Sequence, residues 1–339
     1  MVGDDGQIGP HGDTRWFSDV KVGEKHCARK AVGKAVFDLF TDVVVLTDCP
    51  RCKGDKPYLN LLLRLRDLDI TQSDFHRLLK RTKYELSQTE RLKFSDAVRL
   101  VKTNSKKDAY NIRKASELSK SIGKPLFQLS SHFSTNYSKT APDEEADNLP
   151  KNIHLLEGMK VMVLRNLWQN VGVVNGALGT LVEIIYKQGQ APPHLPFCIL
   201  VQLSPTTYSG PSCHPQIPNC VPICPFPVQW YAKGQLHQRT QLPVVMAWAI
   251  TIDKSQGLTL EHIVVDLEGR RNEPALPFVA CSRTGKESNL MFDMKPGTFT
   301  YEIFTRLKRS RNLKARLKSD ERLLKLAQKT REKYRDILQ

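Results

Sequence analysis

The sequence predicts an α/β fold in which a parallel-sheet lobe is interrupted by an all-β insertion. Three observations carry this expectation. β-Branched runs at residues 43–45, 97–101 and 262–267 alternate with helical segments, the arrangement that builds parallel sheets. The 262–267 run is almost continuously apolar, as strands covered on both faces are. Between residues 188 and 229 proline becomes frequent and only short β runs such as 197–203 remain, which suits a small β module rather than a helical layer.

In chain order, residues 35–46 read as a short helix followed by a strand through Val43, Val44 and Val45 that ends at Thr47-Asp48. Thr71 and Asp74 form a capping-box pair opening a helix whose Leu78 and Leu79 face a core. Residues 97–101 are a strand. Residues 106–122 are a helix stopped by Gly123, with Pro125 just beyond. Residues 127–129 are another strand, and the polar stretch 130–150, acidic at Asp143, Glu144, Glu145 and Asp147, reads as a surface loop. Strands follow at 159–164 and 180–186, separated by the Gly/Asn turn region 172–179. The apolar run 243–260 ends in Lys254-Ser255-Gln256-Gly257, and strands are expected at 262–267 and 290–292. Leu313, Leu317 and Leu324 recur at helical spacing in the tail.

The chain has 339 residues, with 51 Lys and Arg against 35 Asp and Glu, a formal charge of +16 that favours a polyanionic partner. Hydrophobic residues at 40% are too many for wholesale disorder. No stretch approaches the roughly 20 apolar residues of a membrane span, and the N-terminus has no apolar signal-peptide core, so a soluble intracellular protein is expected. The eight cysteines are dispersed, which argues for reduced thiols. Cys49 with Cys52, and Cys213 with His214, Cys220 and Cys224, are the two groups that suggest zinc. They lie far apart in sequence, and buried or loop thiols are the alternative. Residues 306–335 hold 13 Lys and Arg against three acids, which suits a solvated basic helix, a phosphate-contacting helix or a nuclear-import patch.

Four ordered segments carry more than composition does. They are Gly3-Asp4-Asp5-Gly6-Gln7-Ile8-Gly9-Pro10, Leu46-Thr47-Asp48-Cys49-Pro50-Arg51, the run from Ala249 to Leu260 around Thr251 and Lys254-Ser255-Gln256-Gly257, and Phe278-Val279-Ala280-Cys281-Ser282-Arg283. Together they resemble motifs III to VI of superfamily-one DNA helicases of the PIF type, including Helitron- and PIF-like copies. Segments such as Leu63 to Thr71, Val174-Asn175-Gly176 and Tyr208-Ser209-Gly210-Pro211 agree with the same family, so the resemblance runs over residues 2–292.

The resemblance implies RecA-like architecture: a remnant of the first RecA-like lobe at 1–20, the second lobe at 21–178 and 242–300, a small β-barrel module at 179–241, and a basic helical tail at 301–339. It implies an ATP-dependent 5′ to 3′ DNA helicase acting in repair, recombination or telomere maintenance, with ATP and Mg2+ as cofactors and single-stranded DNA as partner. Arg51, Arg283 and Gln7 would serve the γ-phosphate, Gln256 and Gly257 the nucleotide, and Thr251, Lys254 and Ser255 the DNA backbone. Trp168, Trp230 and Trp248 could stack bases, with core packing the alternative. A nuclear location is expected, with the mitochondrion as the other possibility.

A P-loop needs Gly, four residues, then Gly-Lys-Ser/Thr, so that successive amides wrap the phosphates. Gly285-Lys286 is followed by Glu287 and has Ala280 in place of the first glycine, and Gly123-Lys124 is followed by Pro125. Asp266 ends an apolar strand as a magnesium ligand would, but it follows the fifth motif and reads as structural. The chain alone is therefore expected not to hydrolyse ATP, and a P-loop lobe is the partner it lacks. The alternative is a non-enzymatic single-stranded-DNA-binding remnant of a transposon-derived helicase. Against the family pattern, Asp253 stands in place of histidine, Asp5 of an aromatic residue, Gly9 of proline and Cys52 of glutamine.

Overall fold

The computed structural model describes residues 3–9, 15, 27–269 and 272–335. Pro10, the last residue of the first motif, lies outside the described residues. The chain divides into two compact units, residues 1–103 with 251–339 and residues 104–250. Among the described residues no helix is long and apolar enough to cross a membrane.

The first unit is built on parallel strands. Ile263–Asp266 lies between Val98–Val101 and Leu290–Phe292, in register Val98 with Ile263 and Ile263 with Leu290. Ile263, Val264 and Val265 are all buried, which explains why this strand is apolar without alternation. Helix Lys56–Asp67 starts where Asp55 accepts the Tyr58 amide at 3.0 Å, and it turns Tyr58, Leu61, Leu62 and Leu65 into the core. Helix Gln72–Leu79 has the expected capping box, with Asp74 also gripping Arg64. Leu78 is fully buried while Leu79 is half-buried, and Phe75 packs edge-on to Phe299, Tyr301 and Phe304.

Two expectations in this unit need correcting. Helix Cys27–Asp38 forms, but the valine run 43–45 is not a strand: it pairs with no other strand among the described residues, and Val44 and Leu46 are exposed. Its backbone goes instead to the tail, where the Val43 amide donates to Thr330 Oγ1 at 2.9 Å. β-Propensity needs a pairing partner before it becomes a strand, and this segment has a helix beside it. The tail forms helices Glu302–Lys308 and Arg311–Lys333. Leu313 is buried, but Leu317 and Leu324 are exposed. The inward face is Leu313, Arg316, Ser319, Ala327 and Thr330, joined by ion pairs Arg316–Asp67, Arg66–Asp320, Arg322–Asp38 and Lys333–Asp42.

The second unit is antiparallel. Its main sheet runs Val244–Met246, Lys160–Val163, Leu178–Ile185, Cys198–Leu203, Cys220–Ile223. Two of these strands fall outside residues 179–241, so the β module extends past both expected limits. The reason is pairing: Lys160–Val163 holds the first half of Leu178–Ile185 on one edge and Val244–Met246 on the other. Helix Asn104–Ile122 also belongs to this unit and ends at Gly123, whose φ of 66° is the left-handed conformation that glycine supplies at a helix end.

A three-stranded sheet of His132–Phe133, Gln235–Gln241 and Phe226–Ala232 turns through Lys233-Gly234, both at positive φ as a tight hairpin requires. Residues 130–150 are not a plain surface loop. They contain helix Asn136–Thr140 and wrap Arg239, which is fully buried and donates to Asp143, Leu149 O, Ser138 O and Ala141 O. Hydropathy would not place an arginine in the core, and its planar fork explains why three carbonyls and a carboxylate converge on this one side chain.

Candidate functional site

The candidate site residues all fall in the first unit. Arg51 lies in a single 3-10 turn, Pro50–Cys52, that leads into helix Lys56–Asp67. Arg283 lies just beyond helix Leu276–Cys281. The two turns meet. Arg51 donates from Nε to Thr259 Oγ1 at 3.0 Å, from Nη1 to Ser282 O at 2.8 Å and from Nη2 to Leu258 O at 3.3 Å. Arg283 donates from Nε to Val279 O at 2.8 Å, from Nη1 to Ser255 O at 3.2 Å and from Nη2 to Ser282 Oγ at 2.7 Å.

Every one of these acceptors is neutral. Among the described residues no carboxylate lies within ion-pair distance of either guanidinium, although the chain forms Arg–Asp and Arg–Glu pairs elsewhere. Arg283 is only 3% exposed. Burial pushes its guanidinium down to about 10, and the positive charge of Arg51 pushes the same way, with Asp4 opposing more weakly. Two cations held together on carbonyl oxygens without a counter-charge leave the site short of an anion.

The backbone around them is tightly fitted. A Cβ on Gly285 would lie well inside contact distance of the Arg51 carbonyl oxygen and 3.2 Å from its carbon, so only glycine lets the two turns approach this closely. Tyr58 Oη, buried, donates to Cys281 O at 2.7 Å, and burial holds its phenol well above the usual tyrosine range. The Leu260 amide donates to Arg283 O at 2.8 Å.

The 251–257 segment supplies the rest. Thr251 is buried and its Oγ1 accepts the Lys254 amide at 3.4 Å. Ser255, fully buried, donates from Oγ to Ile252 O at 2.7 Å. These two hydroxyls shape the turn Asp253–Ser255 and do not face solvent, so their expected contact with a DNA backbone is not open in this conformation. Lys254 is exposed, and Gly257 takes φ of 84°. Gln256 donates from Nε2 to Ile8 O at 3.4 Å, and its Oε1 is buried with no donor among the described residues. Gln7 sits in the turn Asp4–Gln7, donating its amide to Asp4 O at 3.1 Å, and Gln256 thus reaches the same segment that carries Gln7. Asp266 Oδ1 accepts the Glu268 amide, which fits its structural assignment.

Sequence reasoning missed Tyr58, Thr259, Ser282 and Gly285 as site builders. Ser282 and Thr259 adjoin residues already selected, so neighbourhood was an available signal. Nothing in the sequence links Tyr58 to Cys281. The tryptophans lie in the second unit: Trp168 is exposed, Trp248 packs against the core, and Trp230 lies under the Arg239 guanidinium.

Residues 145–184 match the family described as DNA helicase Pif1, 2B domain. The human ATP-dependent DNA helicase PIF1 is 31% identical over 134 residues, 39% of this chain and 18% of that protein, so the chain matches under a fifth of its length. The crystal structure of Pif1 helicase from Candida albicans superposes with a TM-score of 0.60 at 20% identity, covering 81% of this chain and 60% of that one. Bacteroides Pif1 bound to single-stranded DNA gives 0.51 at 18% identity, covering 77% and 53%. The chain has a Pif1-like α/β fold of RecA-like type and is similar in sequence to Pif1 helicases.

Proposed function

From that likeness we propose that the chain is the C-terminal portion of a Pif1-type ATP-dependent 5′ to 3′ DNA helicase. The observation that carries the proposal is the Arg51–Arg283 pair: two neighbouring guanidiniums, held by carbonyls and hydroxyls and by a glycine-dependent approach, with no carboxylate in ion-pair range among the described residues. A phosphate is the anion such a fork binds best. ATP with Mg2+ supplies the phosphoanhydride whose cleavage drives helicases of this kind. In this chain Arg51 and Arg283 would take the γ-phosphate, Gln7 would sense it, and Gln256 and Gly257 would line the nucleotide. Gln256 Oε1, buried without a donor among the described residues, supports a ligand on that side. Rate enhancement in phosphoryl transfer comes mainly from positioning and from cations placed on developing charge.

Single-stranded DNA is the proposed partner, with exposed Lys254 contacting its backbone and the Thr251 and Ser255 hydroxyls shaping the turn that presents it. The segment would act in repair, recombination or telomere maintenance, and in the nucleus given the basic tail. No P-loop sequence is present, so the chain alone turns over no ATP, and a lobe carrying a P-loop must act with it. Single-stranded-DNA-stimulated ATPase activity of the purified chain, abolished by Arg283→Ala, would overturn that statement.

One observation favours a second reading, a binding module without turnover. Arg283 spends its donors on Val279 O, Ser255 O and Ser282 Oγ and is almost wholly enclosed, as a structural arginine is. Anisotropy of labelled oligothymidylate separates binding from none: both readings expect affinity that falls steeply with salt. No binding at low salt would remove both.

A further inference from the structure

Cys49 and Cys52 flank Arg51 in the turn Cys49-Pro50-Arg51-Cys52, and neither the helicase likeness nor the phosphate site uses them. The Cys52 amide donates to Cys49 O at 3.1 Å, closing a single 3-10 turn. Residues three apart in such a turn eclipse one another, which brings their Cα atoms into the range a disulfide spans. Cys49 is partly exposed and Cys52 is 1% exposed, so one sulfur of the pair can be reached from solvent while the other is shielded.

We propose that Cys49 and Cys52 form a redox-modification site, a dithiol that a low-molecular-weight disulfide oxidises to an intramolecular bond across Arg51. The Cys49 thiolate attacks one sulfur of glutathione disulfide. A Cys49–glutathione bond forms, the glutathione S–S bond breaks, and the leaving thiolate takes up a proton equivalent to the one Cys49 gave up. Cys52, also deprotonated, then attacks the Cys49 sulfur, forms the Cys49–Cys52 bond and expels the second glutathione, which is protonated in turn. The protein loses two electrons and two protons, and glutathione disulfide becomes two glutathiones.

Burial pushes the Cys52 thiol up to about 11, with Cys49 contributing. The second step is therefore slow at neutral pH. The bond would fix the backbone on both sides of Arg51, a residue whose side chain otherwise depends on three acceptors in other turns. The proposal goes beyond the helicase reading and does not depend on it, because its test reads chemistry on the turn itself.

The test treats the full chain with glutathione disulfide at mildly alkaline pH, blocks free thiols by alkylation, and maps tryptic peptides without reduction. Trypsin cuts after Arg51, so an intramolecular bond yields peptide 35–51 joined to peptide 52–53, which no other linkage gives. The expected major product is that joined pair. Cys52→Ser should stop at a Cys49–glutathione adduct, and Cys49→Ser should leave Cys52 unmodified in the folded chain. Phenylglyoxal modification of Arg51 should change several-fold in rate between the reduced and oxidised wild type and not in Cys52→Ser. Recovery of Cys49 and Cys52 both alkylated after oxidation, or linkage of Cys49 to any cysteine other than Cys52, would overturn the proposal. The close pair Cys213 and Cys220, whose backbones share a 2.8 Å hydrogen bond, yields different peptides and is resolved in the same map.

Discussion

Replacing Gly285 by alanine tests how the two arginine turns are held. An added methyl would sit well inside contact distance of Arg51 O, 3.2 Å from the Arg51 carbonyl carbon and 3.4 Å from its Cγ. Backbone, not a flexible side-chain end, is in the way, so the turn Pro50–Cys52 must move by about 1 Å. Overpacking of this kind costs about 1–3 kcal/mol. The shift also stretches the Arg51 bonds to Ser282 O and Thr259 Oγ1, adding about 1 kcal/mol for a lost hydrogen bond. The sum is about 2–4 kcal/mol, read by urea denaturation followed by helical circular dichroism, with a melting temperature lower by about 5–10 °C. Gly54→Ala, only a few residues from Arg51 with nothing within 4 Å of its added Cβ, is the control and should stay within about 1 kcal/mol of wild type. If Gly285→Ala unfolds at the same urea concentration as Gly54→Ala, the close approach of the two turns is not what the structure relies on.

Three further outcomes follow from named contacts. Asp74 is held at about pKa 2 by its Arg64 hydrogen bonds first and by the Thr71 amide and hydroxyl, below the ordinary 3.8. A depressed carboxyl stabilises the fold above its unfolded pKa, so this contribution, up to about 2 kcal/mol, should be full above pH 4 and vanish as pH falls toward 2. Asp74→Asn should flatten that part of the acid-denaturation curve. Arg239→Met removes a buried cation from four acceptors and should destabilise residues 104–250 by about 3–5 kcal/mol, measured by urea denaturation of the Trp168, Trp230 and Trp248 fluorescence. If Lys254 makes the proposed phosphate contact, Lys254→Ala should weaken binding to all oligonucleotide sequences alike and lower the salt slope by about 1, because such a contact carries no sequence information.

Much of the first unit was legible because its determinants are local. The capping box at Thr71 and Asp74 and the apolar strand 262–267 each rest on residues a few positions apart, as does the glycine stop at 123 in the second unit. The valine run 43–45 misled because a strand requires a partner, and its amide instead meets Thr330, 287 residues away. The tail's leucine spacing pointed to the wrong stripe for a related reason. Asp38, Asp42 and Asp67 select the face that docks, through Arg322, Lys333 and Arg316, and charge pairing across such separations leaves no periodic trace. At the site, Arg51 and Arg283 were found through motif order alone. Their shared carbonyls and the glycine between them are contacts of tertiary structure, and the enclosure of Thr251 and Ser255 could be seen only once the turn was folded.

In the proposed helicase Arg51 and Arg283 act on a nucleotide phosphate. The direct measurement joins the P-loop lobe of a Pif1 helicase ahead of Gly3 and follows ATP hydrolysis with and without single-stranded DNA. DNA-stimulated turnover is expected, and Arg283→Ala and Arg51→Ala should each reduce it by about 10³-fold or more, as loss of an arginine at the transferring phosphate does. Turnover that survives both substitutions within about tenfold would contradict the assignment and leave the pair as structural arginines.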